Sequence, residues 1–199
     1  MYNVIKTAQE GVRLQKDPPK GYRYNEAGNL VPIGWSEFHE EGMPSDSLDT
    51  EALRKGVSMA ESLGGVLMMN PTSSATGAYG QLFKEIENLP EMKDVTREQF
   101  ANNPKLQEHI FNKRLEEGLG ERSLRRNAEE LTEEYKDQLG DKWEFSLNDV
   151  AALSNYLGRD GTRKFFGSIR DGGPVYTPSG VNKPVMEYLD IVRNASYKD

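Results

Sequence analysis

The chain has no cysteine and only two histidines, His39 and His109, in 199 residues. The first absence excludes disulfides and thiolate metal sites. The two imidazoles stand far apart without ligand spacing, so neither a zinc site nor any other cofactor is expected. No apolar run approaches the ~18 residues that a membrane-spanning helix needs. The opening Met1-Tyr2-Asn3-Val4-Ile5-Lys6 also lacks the basic-then-apolar pattern of a signal peptide. Positive charge is in deficit, with 25 Lys and Arg against 32 Asp and Glu and a net charge of -7. That balance argues against nucleic acid as a partner, because phosphates require clustered cations. Convincing strand alternation is missing as well, and so are internal repeats and low-complexity tracts. The expected fold class is therefore mainly α.

A hydrophobic content of 36% fills one core but not two large ones. The length suits one domain of about 150 residues with an appendage. Residues 1–46 read as that appendage. Asp17-Pro18-Pro19-Lys20-Gly21 and Gly28-Asn29-Leu30-Val31-Pro32-Ile33-Gly34 are rich in turn formers and thin in apolar residues. Such a stretch is an extended arm, either without fixed structure or docked on a partner through Tyr22, Tyr24, Leu30, Val31, Ile33 and Trp35.

Residues 47–199 carry the helical signals. Pro104 to Gly118 brings Leu106, Ile110, Phe111 and Leu115. Ser123 to Leu139 brings Leu124, Ala128, Leu131, Tyr135 and Leu139 at 3,4 spacing. Ser146 opens a further helix with Asp149 three residues on, a relative of the capping box. Gly158 and Gly161 supply the freedom for a tight turn after it, ahead of the aromatic Phe165-Phe166. Residues 173–180 read as a loop, and Asn182-Lys183-Pro184 as the capped start of a last helix through Val192.

The chemistry concentrates at the end of the first helix. Leu53, Val57 and Glu61 stand at i, i+4 and i+8 and share one face. Leu53 and Val57 require that face to be buried, and a carboxylate there is costly unless paired, protonated or used. Gly64-Gly65 stops the helix, so Glu61 sits in its last turn, at the negative end of the dipole. Desolvation and dipole both raise its pKa toward the range of a general acid at neutral pH. The plain alternative is a helix-end glutamate bent out to water. Beyond it, Asn70-Pro71 signals a turn and Ser73-Ser74-Ala75-Thr76-Gly77 is a run of small polar residues that permits close approach. Ala78-Tyr79-Gly80-Gln81-Leu82-Phe83 then restarts helix-like spacing, with Tyr79 and Gln81 available to a ligand.

Glu61-Ser62, Asn70-Pro71 and Gly77-Ala78-Tyr79-Gly80-Gln81, in that order, resemble the lytic transglycosylase branch of the lysozyme superfamily, particularly its phage members. There a Glu-Ser pair ends a helix and an Asn-Pro-x-Ser-Ala-x-Gly-x-x-Gln segment floors a sugar cleft. The Gly158–Gly161 turn and the closing Glu187-Tyr188-Leu189 helix fit the same family, so the resemblance covers about residues 47–195. In the bacterial enzymes a Tyr-Asn pair faces the catalytic glutamate. Here the order is Asn155-Tyr156, reversed, and either residue is open as the sugar contact.

The resemblance implies a lysozyme-like helical domain that cleaves the β-1,4 bond between N-acetylmuramic acid and N-acetylglucosamine. Glu61 would be the catalytic residue. Ser62 would orient its carboxylate, and Ser74, Tyr79, Gln81, Asn155 and Tyr156 would contact the sugars. No second carboxylate is tied to Glu61 by the sequence; Asp160 and Glu85 are candidates by nearness only. The implied partners are peptidoglycan glycan strands and, through the arm, other proteins of a phage virion. The implied place of action is the host cell wall, at genome entry. A virion protein that keeps the fold with weak or lost catalysis, and an endolysin, are the alternatives.

Overall fold

In a computed structural model, the backbone is described at residues 2–5, 13–16, 22–24 and 30–32, and the chain in full at 47–65, 69, 74–119, 122–178 and 183–196. The chain divides into two units, Met1–Met43 and Pro44–Asp199. In the first, β1 (Tyr2–Ile5) pairs antiparallel with β2 (Arg13–Lys16), and β3 (Tyr22–Tyr24) with β4 (Leu30–Pro32). Strands of three and four residues are too short to show alternation in sequence, which is why no strand was expected there.

The second unit is mainly helical. Its elements are α1 (Thr50–Ser62), β5 (Ala75–Thr76), β6 (Gln81–Leu82), α2 (Phe83–Ile86), α3 (Arg97–Ala101), α4 (Pro104–Glu116), α5 (Leu124–Leu139), α6 (Leu147–Arg170) and α7 (Val185–Ser196). The helix-like spacing from Ala78 is here a turn followed by the two residues of β6 and the single turn of α2. The proposed cap Asn182 lies outside the described residues.

The apolar stripes meet as their spacing requires. Leu53 and Val57 of α1 are fully buried, as are Ala128 and Leu131 of α5, Leu153 and Phe165 of α6, and Leu189 of α7. These residues belong to one core cluster that also takes in Phe111 and Leu115 of α4. A smaller cluster of Ile86, Met92, Phe100 and Ile110 lies under the α2–α3 region. The capping box at α6 is complete: Asp149 N donates to Ser146 Oγ and Ser146 N to Asp149 Oδ2. Inside α6, Gly158 leaves the helical region at φ 70°, ψ 171°, so the element is two helices across a kink. That conformation suits glycine, which pays no Cβ penalty for it, and it corresponds to the turn read from Gly158 and Gly161.

Asp149 carries a second load. Its carboxylate accepts from Arg193 Nε and Nη2 at 2.9 Å each, tying α6 to α7, with side-chain exposures of 6% and 15%. Removing one member of a buried pair strands the other charge. Asp149→Ala is therefore expected to cost about 3–5 kcal/mol, more than an exposed pair would, as a lowered midpoint in chemical denaturation.

Candidate active site

Three walls surround Glu61. The first is the end of its own helix. Asp49 caps the start of α1, its side chain accepting from Ala52 N. At the other end Leu63, not Gly64, takes the left-handed cap position at φ 54°, with Leu63 N bonded to Met59 O and Gly64 N to Ser58 O. Both bonds satisfy carbonyls that a helix end otherwise leaves bare. Ser62 is buried, and its hydroxyl donates toward Ser58 O and Ala78 O and accepts from Gly65 N. It thus fastens the helix end to the neighbouring hairpin and is not turned to the Glu61 carboxylate.

That hairpin, β5–β6 with residues 77–80 between, forms the second wall. Gln107 of α4, fully buried, accepts from Ala78 N at 2.8 Å and donates to Phe100 O and Ala101 O. One amide thereby locks the turn to two helices. Tyr79 stacks on Phe111 with ring centroids 4.4 Å apart. Gly80, at φ +62°, lies so close to Glu61 that a Cβ there would fall 2.5 Å from Oε2. Only glycine combines that φ with that approach. The side chain of Gln81 is fully buried, and its amide has no partner among the described residues, an unusual state for a native interior. Ser74 stands at the start of the hairpin, its carbonyl accepting from Phe83 N and Thr76 Oγ1.

The third wall comes from α6 and α7. Tyr156 stacks flat on the fully buried Tyr188, with centroids 4.0 Å apart and planes 6° from parallel. The Tyr188 hydroxyl interacts with both the Glu61 carboxylate and Asn155, although neither contact closes to regular hydrogen-bond geometry and Asn155 Oδ1 is otherwise unpartnered. The Tyr156 hydroxyl is engaged elsewhere: it donates to Lys183 O at 2.8 Å and accepts from Lys183 N at 3.2 Å. Lys183 in turn reaches back to donate from Nζ to Ala60 O.

Desolvation dominates the electrostatics of Glu61 and pushes its pKa up to about 7, against the lowering effects of the Lys183 ammonium, the Tyr188 hydroxyl and the Arg114 guanidinium. Burial, and after it the Glu61 carboxylate, raise Tyr188 well above its ordinary value. A carboxyl poised near neutrality can both give and take a proton, which a glutamate at its ordinary value does poorly. The charged groups that act on it among the described residues are cations, and neither Asp160 nor Glu85 is one of them.

Of the residues singled out from sequence, Tyr156 and, through Tyr188, Asn155 come to Glu61, whereas in the 79–81 turn it is Gly80 that reaches it. Tyr79 packs on Phe111, and Gln81 is fully buried, which does not suit the sugar contact expected of it. Ser62 and Ser74 serve the hairpin's own hydrogen bonds. Asn70, Pro71, Thr72 and Ser73 lie outside the described residues. Tyr188, Lys183, Arg114 and Gln107 were not read as site residues. Only Tyr188 left a signal, as part of the closing Glu-Tyr-Leu phrase.

Two outcomes follow from this geometry. Gly80→Ala is expected to cost about 1–2 kcal/mol from φ alone, plus the clash with Glu61. In a double-mutant cycle with Glu61→Ala the clash part disappears and the φ part stays, as measured by denaturant midpoints. The raised pKa also sets a pH dependence. The native state holds the Glu61 proton more tightly than the unfolded chain, so its contribution to stability is full below about 4.5 and is lost as pH rises through about 7. Glu61→Gln is expected to lack that decline in a series of melts across this range. No protein-family model matches the chain, and neither the curated proteins nor the solved structures contain a match to it.

Proposed function

We propose that the chain is a peptidoglycan lytic transglycosylase with a lysozyme-like fold, carried in a phage virion through an N-terminal arm and opening the cell wall during genome entry. The observation that carries this reading is Glu61 itself: a carboxyl at a helix end, desolvated to a pKa of about 7 and lodged between the Gly80 turn and the Asn155–Tyr188 wall. The ordered resemblance of the Glu61-Ser62 and Gly77–Gln81 segments supplies the substrate class.

Glycosidases that use two acids hold them at a defined separation. With only cations and a phenol acting on Glu61 among the described residues, a single-carboxylate route fits better. Glu61 protonates the glycosidic oxygen as the C1–O bond breaks, and the substrate's acetamido group stabilises the resulting centre. The muramoyl C6 hydroxyl then attacks C1 and returns its proton to Glu61. No water is consumed, and the product is a 1,6-anhydro sugar. Tyr188 and Lys183 support the carboxylate in its charged phase, between the two proton transfers.

A virion protein that keeps this fold without catalysis is the second reading. It is favoured by Tyr156, whose hydroxyl is tied to Lys183 and is not free for a sugar. Glu61→Gln separates the two. General acid–base catalysis is typically worth ~10²–10⁴-fold, and because one residue serves both steps the loss should lie at the top of that range. Turbidity clearing of purified peptidoglycan is the assay, with circular dichroism on the same preparation. Product masses lighter by one water than the hydrolytic product identify the anhydro route. Clearing by a folded Glu61→Gln variant at the wild-type rate would move the chemistry to another residue, and an inert wild type would favour the structural reading.

A further inference from the structure

α1 has no basic residue in its last turn, although that turn carries a partly buried acid and exposes the negative end of the helix dipole. The compensating cation comes from far along the chain. Lys183 Nζ donates to Ala60 O at 2.8 Å, across 123 positions of sequence. Its backbone is pinned at both ends by a single phenol, since Tyr156 Oη accepts from Lys183 N and donates to Lys183 O. Tyr156 is itself held flat against Tyr188. A lysine on a four-carbon stem ordinarily sweeps a wide volume; this one is fixed at its tip and on both sides of its Cα.

We propose that Lys183 is a positioning residue for Glu61: clamped by Tyr156 and by the Ala60 carbonyl, its ammonium holds the opposite charge for the carboxylate at the end of α1. The proposal gives Tyr156 a role through Lys183 in place of a sugar contact. It rests on the muralytic reading only for its catalytic meaning, because the electrostatic effect exists without substrate. Other groups also act on Glu61: Arg114 from α4, Tyr156 from α6 and Tyr188 from α7, the last in turn beside the neutral Asn155 of α6. Desolvation raises Glu61 and Lys183 is the foremost of the influences that lower it. Without the ammonium the carboxyl would hold its proton to higher pH. It would then give its proton to the glycosidic oxygen less readily, because the carboxylate left behind would lack its counter-charge.

The test is a carboxyl ¹³C NMR titration of the full chain, with the Glu61 resonance assigned by its absence in Glu61→Gln. In Lys183→Met the midpoint is expected to rise by about one unit or more, the usual effect of losing an opposite charge at close range. Lys183→Arg, which keeps the charge, should return it most of the way. Tyr156→Phe keeps the ring stack but frees the lysine backbone, and should move the midpoint the same way by a smaller amount. It also decides the matter if Lys183→Met fails to fold. In the peptidoglycan assay the pH profile of Lys183→Met should shift upward with the NMR midpoint. A midpoint unchanged in the folded variants overturns the proposal. A chain inert on peptidoglycan whose midpoint still rises overturns the muralytic reading and leaves the role of Lys183 intact.

Discussion

Burial of one carboxyl group sets the terms for the rest of the site. Glu61 shares a face with Leu53 and Val57, which are fully buried, and its carboxyl is largely desolvated there. A charged group so placed must be paired or protonated, and this protein arranges for both. Lys183 and Arg114 stand on the cationic side of that balance, and the desolvation that lifts the pKa to about 7 stands on the other. The glycine at position 80 follows from the same constraint, because no side chain fits between the hairpin and the carboxylate.

What could be read from the sequence was local. The α1 stripe, the α5 stripe, the Ser146–Asp149 cap and the break at Gly158 each depend on residues a few positions apart, and each stands in the structure where its spacing puts it. The hairpin escaped because two-residue strands have no period to detect, and Ala78 to Phe83 happens to space its apolar residues as a helix would. Arg97–Ala101 escaped for a related reason: a five-residue helix offers barely one turn of pattern, although its capping box from Thr96 to Gln99 is complete. Lys183 and Gln107 were out of reach on different grounds. Each acts on a group dozens of residues away, and nothing in its neighbours announces that partner.

The supports of the site are better built than its motif residues suggest. α1 and α7 pack closely enough for Ser196 Oγ to donate to Ala52 O, and Leu189 and Val192 share the core with Leu53 and Val57. Glu61 and Tyr188 are thus borne on two helices packed directly together, and Asn155 and Tyr156 on a third in the same core. Groups carried on packed helices keep their mutual geometry more closely than groups on loops. On this helix Asn155 turns toward the Tyr188 hydroxyl and Tyr156 toward Lys183, and both influences end on the same carboxylate.

The small residues of the hairpin allow the close approach that their composition suggests. Hydroxyl groups in such a segment look like ligands for a sugar. Yet Thr76 Oγ1 donates to Ser74 O and accepts from Arg97 Nε, and Arg97 Nη2 also takes Ala75 O. With Ser62 bound to Ala78 O and Gln107 to Ala78 N, these polar groups are spent on holding the hairpin in place. Smallness matters here because it lets main chain come against Glu61, and at Gly80 main chain is what arrives. Backbone N–H and C=O groups are fixed in direction once the turn is locked. A turn fastened by a buried amide and a serine therefore holds its main chain against Glu61 in one direction.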